Sequence, residues 1–398
     1  MIKNILYVSS LCSEKVLDIL FETSNNKSIQ PNQKFHRLII EGIKLNNIRN
    51  IETISALPVV VKSHKKKIWK FNKEIDNGII YYYPFFLNYP ILKYFFVFAN
   101  SFLHTLWWCF KNKRKDSAII CDVLNYSVVS GAMVVAKLLK YHIQTIVTDL
   151  PRYAIMTKQG NVIKSLTVNY SKFIINKFDS YVLLTEQMID VINLKKKPYI
   201  IMEGIVDTTM KDIDRALSDT NQKVIMYAGG LYEKYGVKML IDAFYRINDN
   251  NIQLLLFGSG DMVKDMNYYS QRDYRVIYGG ILSSKDIVDY ELKASLLINP
   301  RFSNEEFSKY SFPSKNMEYM ASGTPLLTTK LPGMPVEYYD YVYLFKEENE
   351  EAFSKKMKEI ISLPITSLYA KGKNAKRFVL EKKNNVIQTK RIIDLLMK

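Results

Sequence analysis

Short apolar runs alternate with longer amphipathic stretches along most of the chain. Runs of three to seven apolar residues are typical of buried strands, whereas stretches such as 35–45 and 127–140 repeat their apolar positions with a helical period. We predict strands in the first half at 5–9, 51–57, 79–83, 118–121, 145–148, 181–184 and 200–202. In the second half we predict strands at 224–228, 253–257, 275–278, 296–299, 326–329 and 341–345. This alternation predicts an α/β fold with parallel, doubly wound sheets.

The polar stretch 206–223 interrupts the alternation. It is rich in Asp, Thr and Ser, a composition typical of an interdomain linker. Because a chain of 398 residues is too long for one ordinary core, we expect more than one domain. We predict a first domain over 1–205, a linker over 206–223, a second domain over 224–380 and a last helical segment over 381–398.

Composition narrows the class of protein. The chain is 48% hydrophobic and therefore globular, and its first apolar run is too short for a signal peptide. Its three cysteines form no CxxC pair, so we expect free thiols in a reducing cytosol; they are Cys12, Cys109 and Cys121. The four histidines are scattered, which argues against a histidine-based metal site.

The segment 301–325 carries the strongest chemical signal. It has the pattern of a loop that ends in a helix start, with Ser314 as the N-cap and Lys315 in the first turn. A helix N-terminus offers free N–H groups and the positive end of a dipole, which together hold a phosphate. Glu318 lies one turn further on and can accept hydrogen bonds from the two hydroxyls of a ribose. Phosphate and ribose together predict a nucleotide site.

A second motif precedes the first in the same half of the chain. The apolar strand 224–228 is followed by Gly229 and Gly230, and an amphipathic helix is predicted over 237–247. This order of strand, glycine pair and helix lets the backbone approach a diphosphate closely. Lys234 stands between the glycines and the helix.

These two motifs resemble the donor site of family-4 retaining glycosyltransferases, and most closely the branch that builds capsular and exopolysaccharides. The run Phe-Pro-Ser-Lys-x-x-Glu-Tyr-Met-Ala-Ser-Gly-Thr-Pro at 312–325 is similar to the family's donor motif. The resemblance implies that Glu318 binds the ribose of a nucleotide sugar. It also implies the GT-B fold, in which two Rossmann-like domains face a cleft and the last helix packs back on the first domain.

The sequence departs from the family's pattern in two places. The family's second acidic residue, eight positions before the ribose-binding glutamate, is Tyr310 here, which leaves the contact with the donor sugar open. Glu305 and Glu306 lie close by as substitutes. In addition, Gly230 stands where many members have Arg. The family also has a Lys that reaches the donor phosphates, and Lys234 is offset by about one position from it.

In the first half, Asp149 follows the predicted strand 145–148, where cleft residues belong. The resemblance places a His near this position in many members of the family. Four roles stay open for Asp149: it orients the acceptor, hydrogen-bonds the donor sugar, acts as the base, or only caps a turn or helix.

We therefore expect a glycosyltransferase that moves a sugar from a nucleoside diphosphate to a hydroxyl of a surface glycan or lipid-linked oligosaccharide. The developing charge on the leaving phosphates would be stabilised by the helix start, the glycine amides, Lys234 and Arg301, so we expect no metal and no other cofactor. A nucleotide-sugar epimerase or a sugar phosphorylase of the same fold is the alternative. We identify neither the extra cleft carboxylates of the first nor the Schiff-base lysine of the second.

The net charge of +17 calls for an anionic partner or surface. Basic runs occur at 62–67, 111–115 and 195–197, and the aromatic segment 81–110 lies beside the second run. Polar residues interrupt that segment, so no clean transmembrane span results. Two interpretations stay open: a helix in the membrane interface with its basic end on anionic headgroups, or a buried helix of the first domain.

Nucleic acid is the competing explanation of the charge. The sequence contains no RRM, KH, OB or zinc-finger pattern, and its basic runs lie in different segments. We therefore expect no nucleic-acid partner. The predicted location is the cytoplasm, with peripheral contact at the inner face of the cell membrane.

Overall fold

The computed structural model describes residues 2–24, 31–150, 162–193, 195–212 and 222–397. The chain divides into two compact units, which we treat separately. The first unit comprises Met1–Met202 together with Asn385–Lys398, and the second comprises Glu203–Asn384. Of the predicted linker 206–223, residues 206–212 and 222–223 fall in the described part of the second unit.

The first unit is built on strands that are mostly apolar and buried. They are β1 (Asn4–Ser9), β2 (Asn50–Ser55), β3 (Ile68–Trp69), β4 (Glu74–Asp76), β5 (Ile79–Tyr82), β6 (Phe86–Leu87), β7 (Ser117–Asp122), β8 (His142–Val147), β9 (Ser180–Leu183) and β10 (Tyr199–Ile201). In the described residues, eight of them form one sheet in the order β10-β9-β8-β7-β1-β2-β5-β4, and β3 pairs with β6.

The central strand β1 fixes the register of this sheet. It pairs in parallel with β2 and with β7, so that Ile5 lies opposite Ile51 and Ala118. All six residues of β1 are buried, as expected of a strand that is covered on both faces. The edge pair β4–β5 is antiparallel.

The second unit contains a smaller parallel sheet. Its strands are β11 (Lys223–Ala228), β12 (Ile252–Phe257), β13 (Val276–Tyr278), β14 (Leu296–Asn299), β15 (Leu326–Thr328) and β16 (Tyr343–Leu344). Among the described residues their order is β13-β12-β11-β14-β15-β16. The chain builds outward from β11 in one direction and then from β14 in the other, so the order reverses between these two strands. Such a switch point is where ligands bind in open α/β sheets.

Helices connect the strands of both units. They are α1 (Glu14–Glu22), α2 (Pro31–Leu45), α3 (Pro90–Lys111), α4 (Tyr126–Leu138), α5 (Val162–Ile175), α6 (Ile189–Ile192), α7 (Val237–Phe244), α8 (Met266–Arg272), α9 (Ser284–Lys293), α10 (Ser314–Ser322), α11 (Glu350–Ile361), α12 (Ile365–Lys382) and α13 (Asn385–Leu395). Helix α13 packs on α2 of the first unit, where the Asn46 side chain donates to the Val386 carbonyl over 2.8 Å.

The predicted α/β class and its parallel sheets are confirmed, and most strand bounds differ from the prediction by one to three residues. The strand predicted over 341–345 is shortened to Tyr343–Leu344, because a 3₁₀ turn, Val336–Tyr341, precedes it. The short strands β3, β4 and β6 were not predicted. Two or three residues are too few to show a period of two above the aromatic background of that segment.

The three cysteines are free thiols, as predicted, and all three are buried. Burial raises the pKa of the Cys109 thiol to about 12, so this thiol is protonated at neutral pH. Among the described residues, no helix combines the length and the apolar composition that crossing a bilayer requires.

Helices α3 and α4 approach each other at Gly131. A Cβ atom at this position would lie 2.5 Å from the Phe98 carbonyl oxygen and 2.9 Å from the Phe102 nitrogen, both in α3. The Ser101 hydroxyl donates to the Val128 carbonyl over 2.6 Å across the same contact. Close packing with α4 therefore fixes which side of α3 faces inward.

We predict that Gly131→Ala destabilises the protein by about 1–3 kcal/mol, because the added methyl group must push α3 away from α4. The better helix propensity of Ala offsets only part of this cost. Urea unfolding measures the change in the free energy of unfolding. Val134→Ala is the control, since Val134 is exposed on the same helix; an equal free energy of unfolding for the two variants would contradict the close contact.

Candidate active site

The candidate donor site lies at the carboxyl end of the second sheet, where the strand order reverses between β11 and β14. The loop 229–236 follows β11, the loop 300–313 follows β14, and helix α10 begins directly after that second loop. The predicted donor residues therefore come from both sides of the switch point. This is the place that the sequence pattern predicts for a nucleotide.

One buried side chain ties helix α10 to the end of β11. The hydroxyl of Tyr319 accepts a hydrogen bond from the Ala228 N–H at 2.8 Å and donates one to the Ala228 carbonyl at 3.1 Å. Tyr319 is fully buried, and burial raises its pKa well above the ordinary value, so the phenol keeps its proton. A single phenol thus fixes the distance between the glycine loop and the helix.

Only one of the two predicted glycine amides is available to a ligand. The Gly229 N–H donates to the Phe257 carbonyl over 2.9 Å and so continues the sheet. The expectation that both amides hold phosphate is therefore wrong for Gly229. Within the described residues the Gly230 N–H has no such bond.

The structure also explains why position 230 carries no side chain. A Cβ atom at Gly230 would lie 2.8 Å from the ring of Tyr232 and 3.0 Å from the ring of Tyr235. These two aromatic rings fill the space that an arginine at this position would need. Any positive charge for a diphosphate must therefore come from other residues.

Two predicted cations meet on one aromatic ring. The Lys234 Nζ atom lies 5.3 Å from the centre of the Tyr235 ring, and the Arg301 guanidinium lies 4.7 Å from it. Arg301 also stacks near Phe307 and donates to the Ser311 hydroxyl at 3.2 Å. Although 67 positions separate them in the sequence, Lys234 and Arg301 form one basic cluster beside the glycine loop.

A glycine brings the two loops together. Gly236 has φ of 78°, in the left-handed region, and a Cβ atom there would lie only 2.0 Å from the Pro300 carbonyl oxygen. Any side chain would separate the loop after β11 from the loop after β14. The basic cluster depends on this close approach.

The start of helix α10 differs from the prediction by one residue. Pro313 occupies the N-cap position and Ser314 is the first helical residue, so Ser314 is not the N-cap. Proline can take this place because its fixed φ suits the approach to a helix. Further along, Asn316 is held by the Asn299 side chain, whose amide donates to its Oδ1 at 2.7 Å, and both residues are buried. The helix start is thus attached to the end of β14.

Lys315 and Glu318 form an ion pair on the first turns of α10. The Lys315 Nζ lies 2.8 Å from Glu318 Oε2, and the two side chains are 33% and 28% exposed. Burial alone would lower the pKa of Lys315, but the Glu318 carboxylate outweighs burial and raises it. Lys315 is therefore charged at neutral pH, and Glu318 is neither buried in the core nor fully solvated.

The loop before α10 carries the remaining candidates for contact with a donor sugar. Tyr310 follows a 3₁₀ turn, Glu306–Lys309, and is half-buried, while Glu305 is the N-cap of that turn. The beginning of the loop is held by Glu348, whose carboxylate accepts from the Ser303 N–H at 3.0 and 3.1 Å. The contact of Tyr310, Glu305 and Glu306 with a donor sugar stays a prediction.

Asp149 belongs to the first unit and not to this group. It is exposed, two residues after the end of β8. Residues 151–161, which follow it closely, lie outside the described residues. In the described part of the chain, no group of three or more His, Cys, Asp or Glu side chains is placed to hold a metal ion.

Two α/β units with parallel sheets, the second with loops and a helix start gathered at its switch point, define a Rossmann-like architecture. Residues 209–378, which make up most of the second unit, match the family model of glycosyl transferases group 1. No curated protein sequence matches the chain significantly.

Solved structures share the fold over nearly the whole chain. HepE from Anabaena, in complex with UDP, is 12% identical, with a TM-score of 0.64 and 99% of each chain covered. The lipopolysaccharide outer core galactosyltransferase WaaB is 16% identical, with the same TM-score and coverage. Sucrose-phosphate synthase from Thermosynechococcus elongatus is 13% identical, again with a TM-score of 0.64 and 99% coverage. These similarities confirm the GT-B fold class, and together with the family match they support a glycosyltransferase.

Sequence reasoning missed the residues that support the site. Tyr319 and Tyr235 are visible in the sequence, but only the structure shows that one binds the end of β11 and the other carries two cations. Glu348 gives no local signal, because 45 positions separate it from the backbone group that it binds. The sequence offered one signal for such supporting residues, which is an aromatic residue next to a predicted ligand-binding residue.

We predict that Tyr319→Phe lowers the free energy of unfolding by about 1–3 kcal/mol, since it leaves buried backbone groups of Ala228 without a partner. Nucleotide binding should weaken as well, because helix α10 loses its attachment to the glycine loop. Urea unfolding and calorimetry measure the two effects. Tyr339→Phe is the control, as the Tyr339 hydroxyl lies 3.5 Å from its nearest acceptor; equal behaviour of the two variants would contradict the role of Tyr319.

Proposed function

We propose that the protein is a retaining glycosyltransferase that transfers a sugar from a nucleoside diphosphate to a hydroxyl of a lipid-linked surface glycan. The biological setting is capsule or exopolysaccharide assembly at the cytoplasmic face of the membrane. One observation carries the proposal: the Lys315–Glu318 pair stands at a helix start that is attached to the Gly230 loop, in a segment matching glycosyl transferases group 1.

The nucleotide is bound through its ribose and its phosphates. Glu318 accepts hydrogen bonds from the ribose hydroxyls, and Lys315 holds its carboxylate in place for them. The Gly230 N–H and the first N–H groups of α10 bind the diphosphate, because the loop after β11 and the start of α10 both lie at the carboxyl end of the sheet. HepE was solved with UDP, which makes a uridine diphosphate sugar the first donor to test.

The cations act on the leaving group. As the bond between sugar and phosphate breaks, negative charge grows on the phosphate oxygen. Lys234, Arg301 and the α10 amides stabilise this charge, and their positions are fixed before the reaction begins. The acceptor hydroxyl passes its proton to the departing phosphate oxygen or to Asp149. Tyr310, Glu305 and Glu306 are the candidates for contact with the donor sugar.

A panel of nucleotide sugars tests the function directly. One uridine- or guanosine-linked sugar should raise the thermal unfolding temperature and be hydrolysed slowly without acceptor, because a donor that binds only the native state stabilises it. No response to any nucleotide or nucleotide sugar would contradict the proposal. A response to polyanions that disappears with salt would instead indicate a nucleic-acid binder.

We predict that Glu318→Ala weakens binding of that donor about ten- to hundredfold, the loss expected for charge-assisted hydrogen bonds to the ribose. Calorimetry measures the affinity, and circular dichroism checks the fold. Glu359→Ala is a matched control, since it removes the same kind of Lys–Glu pair, three residues apart on helix α11 and outside the site. Wild-type donor affinity in Glu318→Ala would contradict the ribose role.

We further predict that EDTA leaves the turnover rate unchanged, because side-chain cations and backbone amides stabilise the leaving group. Initial rates with the identified donor, with and without the chelator, measure this. A rate that falls with EDTA and recovers with a divalent cation would contradict the proposed source of positive charge.

A further inference from the structure

Helix α3 presents a continuous apolar surface to solvent. The helix is 22 residues long and therefore about 33 Å in length. Successive residues turn by about 100°, so six of its seven large exposed hydrophobic side chains fall within a sector of about 160°, and Tyr94 lies outside it. We call this sector the outer face of α3; it consists of Ile91, Leu92, Phe95, Leu103, Trp107 and Phe110.

The exposure of these side chains is large. Ile91 is 83% exposed, Phe110 is 76% exposed, and Phe95 and Leu103 are each 63% exposed. The opposite side of the helix is the one that packs on α4. An apolar patch of this extent usually marks a binding surface, because a soluble monomer seldom leaves one uncovered.

Basic residues far outnumber acidic residues in the sequence around α3. Between residues 53 and 115 the chain contains eleven Lys or Arg residues but only two acidic ones, Glu74 and Asp76. Glu74 is engaged internally, where it accepts from the Tyr83 hydroxyl at 2.7 Å. The outer face itself carries no acidic residue.

Exposed basic residues stand at both ends of the helix. At its C-terminal end these are Lys111, Lys113, Arg114 and Lys115. At its N-terminal end the exposed lysines of the run 62–67 are held in place, because the Asn88 N–H donates to the Lys67 carbonyl over 2.7 Å. The apolar face is thus flanked by cations on two sides.

Trp107 combines both features of the surface. It is 48% exposed, and the Nζ atoms of Lys73 and Lys111 lie 5.5 and 5.0 Å from its ring. Tryptophan beside lysine is typical of the membrane interface, where the ring sits at headgroup depth and the ammonium groups reach the phosphates.

We propose that the outer face of α3 lies in the boundary between headgroups and acyl chains of an anionic bilayer, with the basic runs 62–67 and 111–115 on the headgroups. A protein partner would be expected to meet a rim of mixed charge, whereas this rim is mostly basic. Apolar burial and attraction to anionic lipid add in such helices. The outer face belongs to the first unit and the candidate donor residues to the second, so the surface can be tested without knowing the donor.

Vesicle flotation with the full-length protein tests the proposal. The protein should float with vesicles of phosphatidylcholine and phosphatidylglycerol, and more weakly with vesicles of phosphatidylcholine alone. Changing Lys113, Arg114 and Lys115 to Gln should lower affinity for the anionic vesicles by about fivefold for each charge removed. Changing Phe95, Leu103 and Phe110 to Ser should lower binding to both kinds of vesicle by at least about tenfold.

Matched controls lie in the second unit. Changing the exposed Lys355, Lys358 and Lys382 to Gln removes the same charge away from α3 and should leave binding almost unchanged. Tyr268, Tyr274 and Val336 are as exposed as the outer-face residues, and their change to Ser should have no effect. Equal losses in the α3 variants and in these controls would overturn the assignment of the surface.

Tryptophan fluorescence gives a second measurement that needs no apolar-to-polar variant. Trp69 and Trp108 are buried, so a blue shift of the emission on anionic vesicles should come from Trp107 and vanish in Trp107→Phe, which still floats. The proposal is overturned if the wild type neither floats nor shifts. It is also overturned if light scattering shows dimers that the Ser variant of the outer face abolishes, because a second copy would then cover it.

Discussion

The contact between Tyr319 and Ala228 is the constraint on which the donor site depends. Strand β11 ends at Ala228, and helix α10 is separated from it by some ninety positions of chain. A buried phenol that both accepts from and donates to one residue's backbone fixes the two elements in distance and direction. With its hydrogen-bonding capacity used in this way and its pKa raised by burial, Tyr319 acts as a support and not as a reactive group. Its contribution is preorganisation, which places ligand-binding groups before the ligand arrives.

Charge balance is the second property of the site. In the proposed complex Glu318 binds the ribose, yet a carboxylate near a diphosphate raises the cost of binding the phosphates. The ion pair with Lys315 offsets that cost, and the raised pKa of Lys315 keeps the pair charged at neutral pH. In the same proposal Lys234 and Arg301 face the phosphates, and both side chains lie near the ring of Tyr235. The rings of Tyr232 and Tyr235 exclude a side chain at Gly230, so in the proposed complex the positive charge comes from Arg301 instead.

Sequence patterns predicted the α/β class, most strands and the location of the donor motifs, because each of these depends on local features. Buried strands are apolar runs, and phosphate loops need glycine. The predictions that were wrong also have physical reasons. Ser314 fits the usual preference for an N-cap, but the chain starts the helix after Pro313 instead. The Gly229 amide was expected to bind phosphate, but the sheet continues one residue further and uses it. Contacts between distant positions, such as Glu348 with Ser303, leave no local pattern to detect.

The aromatic segment 81–110 shows why periodicity alone left two interpretations open. A helix that is apolar on all sides belongs either in a core or at a lipid surface, and the sequence does not say which of its sides is covered. In the structure, Gly131 lets one side of α3 pack closely against α4, and the other side of α3 faces solvent. The interpretation of a buried helix is therefore right for the inner side of α3, and the membrane interpretation stays a prediction. The inner side of α3 is core, and its outer side has the apolar residues and flanking cations that an anionic bilayer would bind.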